Sequence, residues 1–191
     1  MIFKFLILIM KKIYFLSICI VVYFTNTTIL SAQSLTNQDK EQYKDFKSEH
    51  MWDAKVKIAK SIFLGKSKRG TRNIVPITGG EFNGKKIKGE VLAGGEDWQN
   101  VREDGDVELY ARYLLKTDDG FIIQVINQVL IHNFSEKENK QPYIKSVIDI
   151  EAPKDSPYDY LNHAIFLGTL EVPQPKQGEE PYVIIGVYML L

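Results

Sequence analysis

The chain has 191 residues, 45% hydrophobic and 25% charged, with 24 Lys+Arg against 24 Asp+Glu and a single Cys. These values exclude a collagen, a disordered tail and a disulfide scaffold. A formal net charge of zero leaves no basic footprint for nucleic acid, so no nucleic-acid partner is expected.

The N-terminus carries Lys4, Lys11 and Lys12, then an apolar run over 13–24, then a small-residue exit at Ser31-Ala32. This is the order of a secretory signal peptide. Twelve apolar residues fall short of the roughly 20 that a membrane-crossing helix needs. A signal peptide over 1–32 is therefore expected, with an exported product, periplasmic or extracellular, and no membrane span after cleavage. Met10-Lys11-Lys12 offers a second start, and Leu16-Ser17-Ile18-Cys19 only loosely matches a lipobox. Cleavage removes three lysines and no acid, which leaves a net charge of −3 and no Cys. Without disulfides, the mature chain must be held by a core, and its length suits one domain.

Residues 33–54 are polar with few apolar anchors and predict a linker or a short helix, opened by the Thr36-x-x-Asp39 cap. A single domain then follows over 55–191. Its apolar runs are short and spaced about ten residues apart, and nine of the 13 glycines fall between Gly65 and Gly105. That punctuation predicts an all-β sandwich or barrel. Strands are expected near 55–64, 73–77, 85–92, 107–117, 121–131, 143–151, 163–172 and 182–190. Asn83-Gly84 and Asp119-Gly120 predict two-residue hairpin turns, and Pro76 marks an edge or bulged strand. Eight such strands in meander order favour a closed antiparallel barrel.

A two-residue loop at Asp119-Gly120 would place Arg112 opposite Asn127, Tyr110 opposite Val129 and Leu114 opposite Val125. Register then assigns faces, and Arg112 and Asn127 would lie side by side among aliphatic neighbours. A guanidinium beside an amide suits a carboxylate or an enolate oxygen. The structural alternative is a buried ion pair of Arg112 with a carboxylate such as Asp97. Gly94-Gly95-Glu96-Asp97-Trp98 supplies paired carboxylates beside an aromatic, and burial would lift one of them into acid–base range. Tyr158, Tyr160, Asn162 and His163 form a polar-aromatic cluster that could close a pocket mouth. The three histidines are isolated, so no metal site is expected. No cofactor motif is present, and neither is a Gly-x-Ser-x-Gly nucleophile signature.

Four motifs carry a family resemblance. They are Pro76-Ile77-Thr78-Gly79-Gly80-Glu81-Phe82-Asn83-Gly84, Gly89 through Glu96-Asp97-Trp98, Ala111-Arg112-Tyr113 through Asp118-Asp119-Gly120, and Tyr160-Leu161-Asn162. In this order they resemble domain-of-unknown-function family 3237, also known as uncharacterised protein family 0311. The resemblance implies a small antiparallel β-barrel of lipocalin-like or allene-oxide-cyclase-like type, often associated as homo-oligomers. It implies no assured activity, although some fungal relatives are linked with ring-forming or hydrolase-like steps in natural-product pathways. Asp97, Trp98, Arg112, Tyr113, Asp118, Asp119, Asn127 and Asn162 stand at its motif positions. Gln128-Val129 and Tyr160 depart from its usual pattern.

Three readings follow. The first is an exported barrel binding a small amphipathic ligand through an anionic or carbonyl group, held by Arg112 and Asn127 and lined by Trp98, Tyr110, Tyr160 and Asn162. The second is a lyase, isomerase or cyclase with Asp97 as general base and Arg112 stabilising an enolate. The third is a ligand-free structural protein of the envelope.

Overall fold

The computed structural model describes residues 46–134 and 140–191. The expected signal peptide and the first part of the expected linker, 33–45, lie outside the described residues. Ten strands follow one another: β1 (Ser48–Ile58), β2 (Ile62–Ser67), β3 (Gly70–Asn83), β4 (Lys88–Val91), β5 (Glu96–Val101), β6 (Val107–Thr117), β7 (Ile122–His132), β8 (Tyr143–Glu151), β9 (Phe166–Glu171) and β10 (Tyr182–Leu190). One turn of 3₁₀ helix, Asp159–His163, precedes β9.

Ten strands make eight staves. β1 and β2 run antiparallel to successive stretches of β3, so they form one stave bent at residues 59–61. β4 and β5 likewise share the slot between β3 and β6, β4 along Leu115–Thr117 and β5 along Val107–Arg112. Every stave pairs with its sequence neighbour, and β10 returns to pair with β1. The sheet is thereby a closed antiparallel barrel, which leaves no unpaired edge along the closed seam.

The barrel is filled unevenly. Trp52, Phe82, Phe166, Leu115, Ile123 and Leu161 pack one half and are all but inaccessible. Trp52 meets Phe82 edge-on at 5.9 Å between ring centres. Burying each such side chain contributes roughly 1.5–3 kcal/mol. Leu161 arrives on the 3₁₀ turn, which caps this end near the Asp118–Gly120 loop. There the Tyr158 hydroxyl donates to Asp119 Oδ1 at 3.0 Å, and the Tyr158 ring stands edge-on to Phe121.

Several boundaries differ from the sequence reading. β1 begins at Ser48, inside the segment read as linker or helix. A register shift between His50 and Trp52 puts Met51 and Trp52 both inside, and that breaks the alternation a strand would display. The run 55–64 is two strands with a bend between them. β5 lies where a loop was expected, because its lumen-facing residues are the polar Asp97 and Gln99. Asn83 pairs with Lys88, so the Asn83-Gly84 turn spans a four-residue loop, with the Gly84 N–H donating to the Ile87 carbonyl at 2.9 Å. His163 belongs to the 3₁₀ turn, not to a strand.

The consequential correction is the β6–β7 register. Thr117 pairs with Phe121 through its N–H to the Phe121 carbonyl at 2.9 Å, and the Gly120 N–H donates to the Thr117 carbonyl at 2.8 Å. The loop is therefore Asp118-Asp119-Gly120, three residues long, with Gly120 at φ +93° supplying the left-handed position. The added residue shifts every pair by one: Ala111 faces Asn127, and Arg112 faces Ile126. Arg112 and Asn127 thus lie on opposite faces.

Pro76 sits on β3 opposite the bend between β1 and β2, where the ladder is interrupted and its missing N–H costs no pairing. Beyond it, β3 switches its inward residues from Ile77 to Phe82 through a bulge at Thr78–Gly79. At Gly80, φ +139°, a Cβ would come within 2.0 Å of the Lys55 carbonyl oxygen on the closing β1–β3 seam. Gly80→Ala is expected to lose about 3 kcal/mol of stability, read as a lower urea midpoint. A midpoint equal to wild type would mean the seam is not this close.

Candidate functional site

The half of the barrel away from the 3₁₀ cap is not filled. A cavity of about 260 Å³ remains, walled by Val56, Ile58, Val75, Ile77, Leu109, Val129 and Ile185, with Val172 towards the β9–β10 end. Its polar lining is Asp97 and Gln99 from β5, Tyr113 from β6 and Asn127 from β7. Asp97, Ala111 and Asn127 fall in one row across three neighbouring strands. Two strand spacings, roughly 10 Å, separate the outer members. The small Ala111 between them leaves a recess flanked by a carboxyl and an amide.

The two flanking groups are incompletely satisfied. Gln99 Nε2 donates to Asp97 Oδ2 at 2.8 Å, but Asp97 Oδ1 and Asn127 Oδ1 have no hydrogen-bond partner. A buried polar atom left unpaired costs roughly 1–3 kcal/mol. Burial pushes the Asp97 carboxyl above its ordinary value, against the opposing hydrogen bonds of Gln99 and the Tyr110 backbone. Burial also raises the Tyr113 phenol, which therefore stays protonated.

The expected site residues separate into three places. Asp97 and Asn127 line the cavity. Arg112 lies outside, where its Nε donates to Gln124 Oε1 at 2.9 Å. It therefore forms neither a lumenal pair with Asn127 nor a buried ion pair with Asp97, and the enzyme reading that needs Asp97 and Arg112 in one cavity falls. The cause is the three-residue loop, which turns the even-numbered residues of β6 outward. Trp98 and Tyr110 are also on the outer face, 38% and 43% exposed. Tyr160 and Asn162 stand at the capped end, away from the cavity. Asn162 clasps the end of β8 as a strand would, accepting from the Ala152 N–H at 2.8 Å and donating to its carbonyl at 3.0 Å. Sequence reasoning missed Gln99 and the gap at Ala111. The uncharged odd-numbered set Val107, Leu109, Ala111, Tyr113 and Leu115 was the signal that could have found the latter. Among the described residues no group of three or more His, Cys, Asp or Glu side chains is placed to hold a metal ion.

The family profile described as "Protein of unknown function (DUF3237)" matches residues 46–190. The chain belongs to the DUF3237 family. A UPF0311 protein of Clostridium acetobutylicum is 37% identical over 90 residues, 47% of this chain and 57% of that protein. A UPF0311 protein of Rhodopseudomonas palustris is 36% identical over 80 residues, 42% and 52% of the two chains. The aligned stretch thus spans little more than half the length of these curated relatives. Structural likeness extends further. A β-barrel like protein of Acinetobacter baumannii superposes with a TM-score of 0.67 at 32% identity, over 77% of this chain and 97% of that one. The barrel is therefore shared along almost the whole length of that protein.

Asp97 also sets a pH dependence. The folded protein holds its proton more tightly than the unfolded chain does. Stability therefore falls as pH rises from the ordinary value of 3.8 through the raised one. Asp97→Asn is expected to be more stable than wild type to urea at neutral pH, with the difference fading below 3.8. An equal gain at both pH values would show that the carboxyl's ionisation is not what burial opposes.

Proposed function

We propose that this DUF3237 chain is an exported barrel that holds one small, mostly apolar molecule in its cavity through a hydrogen-bond donor on that molecule, a hydroxyl or an amine. The observation that carries the reading is the pair of partnerless acceptors, Asp97 Oδ1 and Asn127 Oδ1, flanking Ala111 in a mostly aliphatic wall. Native proteins retain few such atoms, and a ligand or water that donates to them accounts for their survival. The class of ligand differs from the one read from sequence. With Arg112 outside, no Lys or Arg among the described residues lines the cavity, and the Asp97 carboxyl disfavours an anion there. The volume sits just below the usual range of small-molecule pockets, about 300–1,000 Å³, which suits a substituted ring. Export rests on the N-terminal charge and apolar pattern alone.

A second reading keeps Asp97 as the acid–base group of a lyase, isomerase or cyclase, with Asn127 in place of Arg112 beside the reacting atom. It is favoured by the raised carboxyl in a mostly aliphatic cavity. Recovery of an altered ligand after incubation separates this reading from simple binding.

Methyl NMR with 4-ethylphenol as probe tests the cavity. Signals of Val129 and Ile185 are expected to shift saturably, and 4-ethylbenzoate is expected to bind roughly tenfold weaker or less. Ala111→Leu fills the recess and abolishes the shifts with the fold intact, whereas Arg112→Ala leaves them unchanged. Absence of any shift from the phenol at millimolar concentration would return the protein to a ligand-free structural role.

A further inference from the structure

The outer face of the same three strands carries a second constellation. Trp98 and Tyr110 oppose each other in the β5–β6 ladder and stand exposed together. The Trp98 indole is held in place by donation from Nε1 to Glu96 Oε2 at 3.0 Å. Two residues along the strands, about 7 Å away, the outward row reads Arg72, Asn100, Glu108. Arg69, from the turn between β2 and β3, completes the rim of a groove of about 760 Å³.

Its charge is unbalanced. Arg102 also borders the groove but is neutralised by Asp104, Asp106 and Glu108. Arg69 and Arg72 have no carboxylate partner among the described residues, although the chain as a whole is neutral. Asn100 is only 5% exposed; its Nδ2 donates to Glu108 at 3.2 Å, and its Oδ1 has no partner.

We propose that this groove is a second binding site, for an oligosaccharide bearing carboxylates. The neighbouring exposed rings of Trp98 and Tyr110 offer an aromatic floor to the C–H face of a pyranose. The free guanidinium groups of Arg69 and Arg72 match a carboxylate with two parallel hydrogen bonds. The exposed Gln128 supplies an amide group for hydroxyls, and Asn100 lines the wall behind it. The spacing from the ring floor to Arg72 exceeds one sugar, so a short chain of units fits better than a monosaccharide. An aromatic acid would use the floor and the arginines but leave the Gln128 amide without a partner. The site opens on the opposite face of β5 and β6 from the cavity, so it stands or falls independently of the lumenal reading.

The chain has two tryptophans. Trp52 is buried at 1% exposure, so the red edge of the emission reports Trp98. Titration with trigalacturonic acid is expected to change that emission saturably, less so at high salt. Arg72→Gln is expected to weaken binding by roughly tenfold or more, and neutral galactotriose to bind weaker by a similar factor. Ala111→Leu, which fills the lumen, leaves the titration unaltered. An emission unchanged at millimolar trisaccharide, equal binding by Arg72→Gln, or phenylacetate binding as tightly as trigalacturonate would each overturn the proposal.

Discussion

In a closed antiparallel sheet each stave sends alternate side chains into two different media, so the register of one hairpin governs the chemistry of both. Here that hairpin is β6–β7, and the Asp118-Asp119-Gly120 loop sets it. With three loop residues, Leu109, Ala111, Tyr113 and Leu115 face inward. A slip of one would bring Glu108, Arg112 and Lys116 into the lumen instead. Each desolvated charge costs several kcal/mol unless it is paired, so the sheet tolerates only one of the two registers. Gly120, with its positive φ, is the residue that makes the longer loop accessible.

The interior is then divided between stability and chemistry. Trp52, Phe82, Phe166 and Leu161 belong to the buried hydrophobic cluster that fills the capped half. In the other half, aliphatic walls stop short of one another, and the row Asp97, Ala111, Asn127 places two acceptors around a missing side chain. An apolar residue at position 97 or 127 would remove an unpaired oxygen, and a larger one at 111 would fill space. Folding alone favours all three changes, so their absence marks the part of the barrel where packing was given up.

The architecture was readable because glycine and turn residues interrupt short apolar runs at strand-like spacing, and the meander order follows from those runs. Where alternation failed, the reading failed with it. The first part of β1, 48–54, was missed because the shift at His50–Trp52 turns the adjacent Met51 and Trp52 inward. β5 was missed because Asp97 and Gln99 occupy the positions that an apolar residue would have announced. Arg112 was brought inside by assuming the shortest loop that Asp119-Gly120 allows. The charges at 108, 112 and 116, four apart and so on one face of the strand, argue against that choice. The family motifs did reach Asp97 and Asn127, but motif position alone does not say which face a residue takes.

That β5 exists at all, with so little apolar surface to bury, follows from its neighbours. It is paired along all six of its residues on both sides, with Thr71–Pro76 of β3 and with Val107–Arg112 of β6. Its backbone is therefore satisfied without help from its side chains. Residues 92–95 separate it from β4 and include the close approach of Gly95 to the Arg112 carbonyl and Tyr113. The break lets β5 take its own register against β6, distinct from that of β4. A strand fixed by its ladders rather than by a hydrophobic face is free to carry Asp97 and Gln99 on one side and Trp98 and Asn100 on the other. Polar and aromatic groups thus concentrate on the one stave whose position does not depend on burying them.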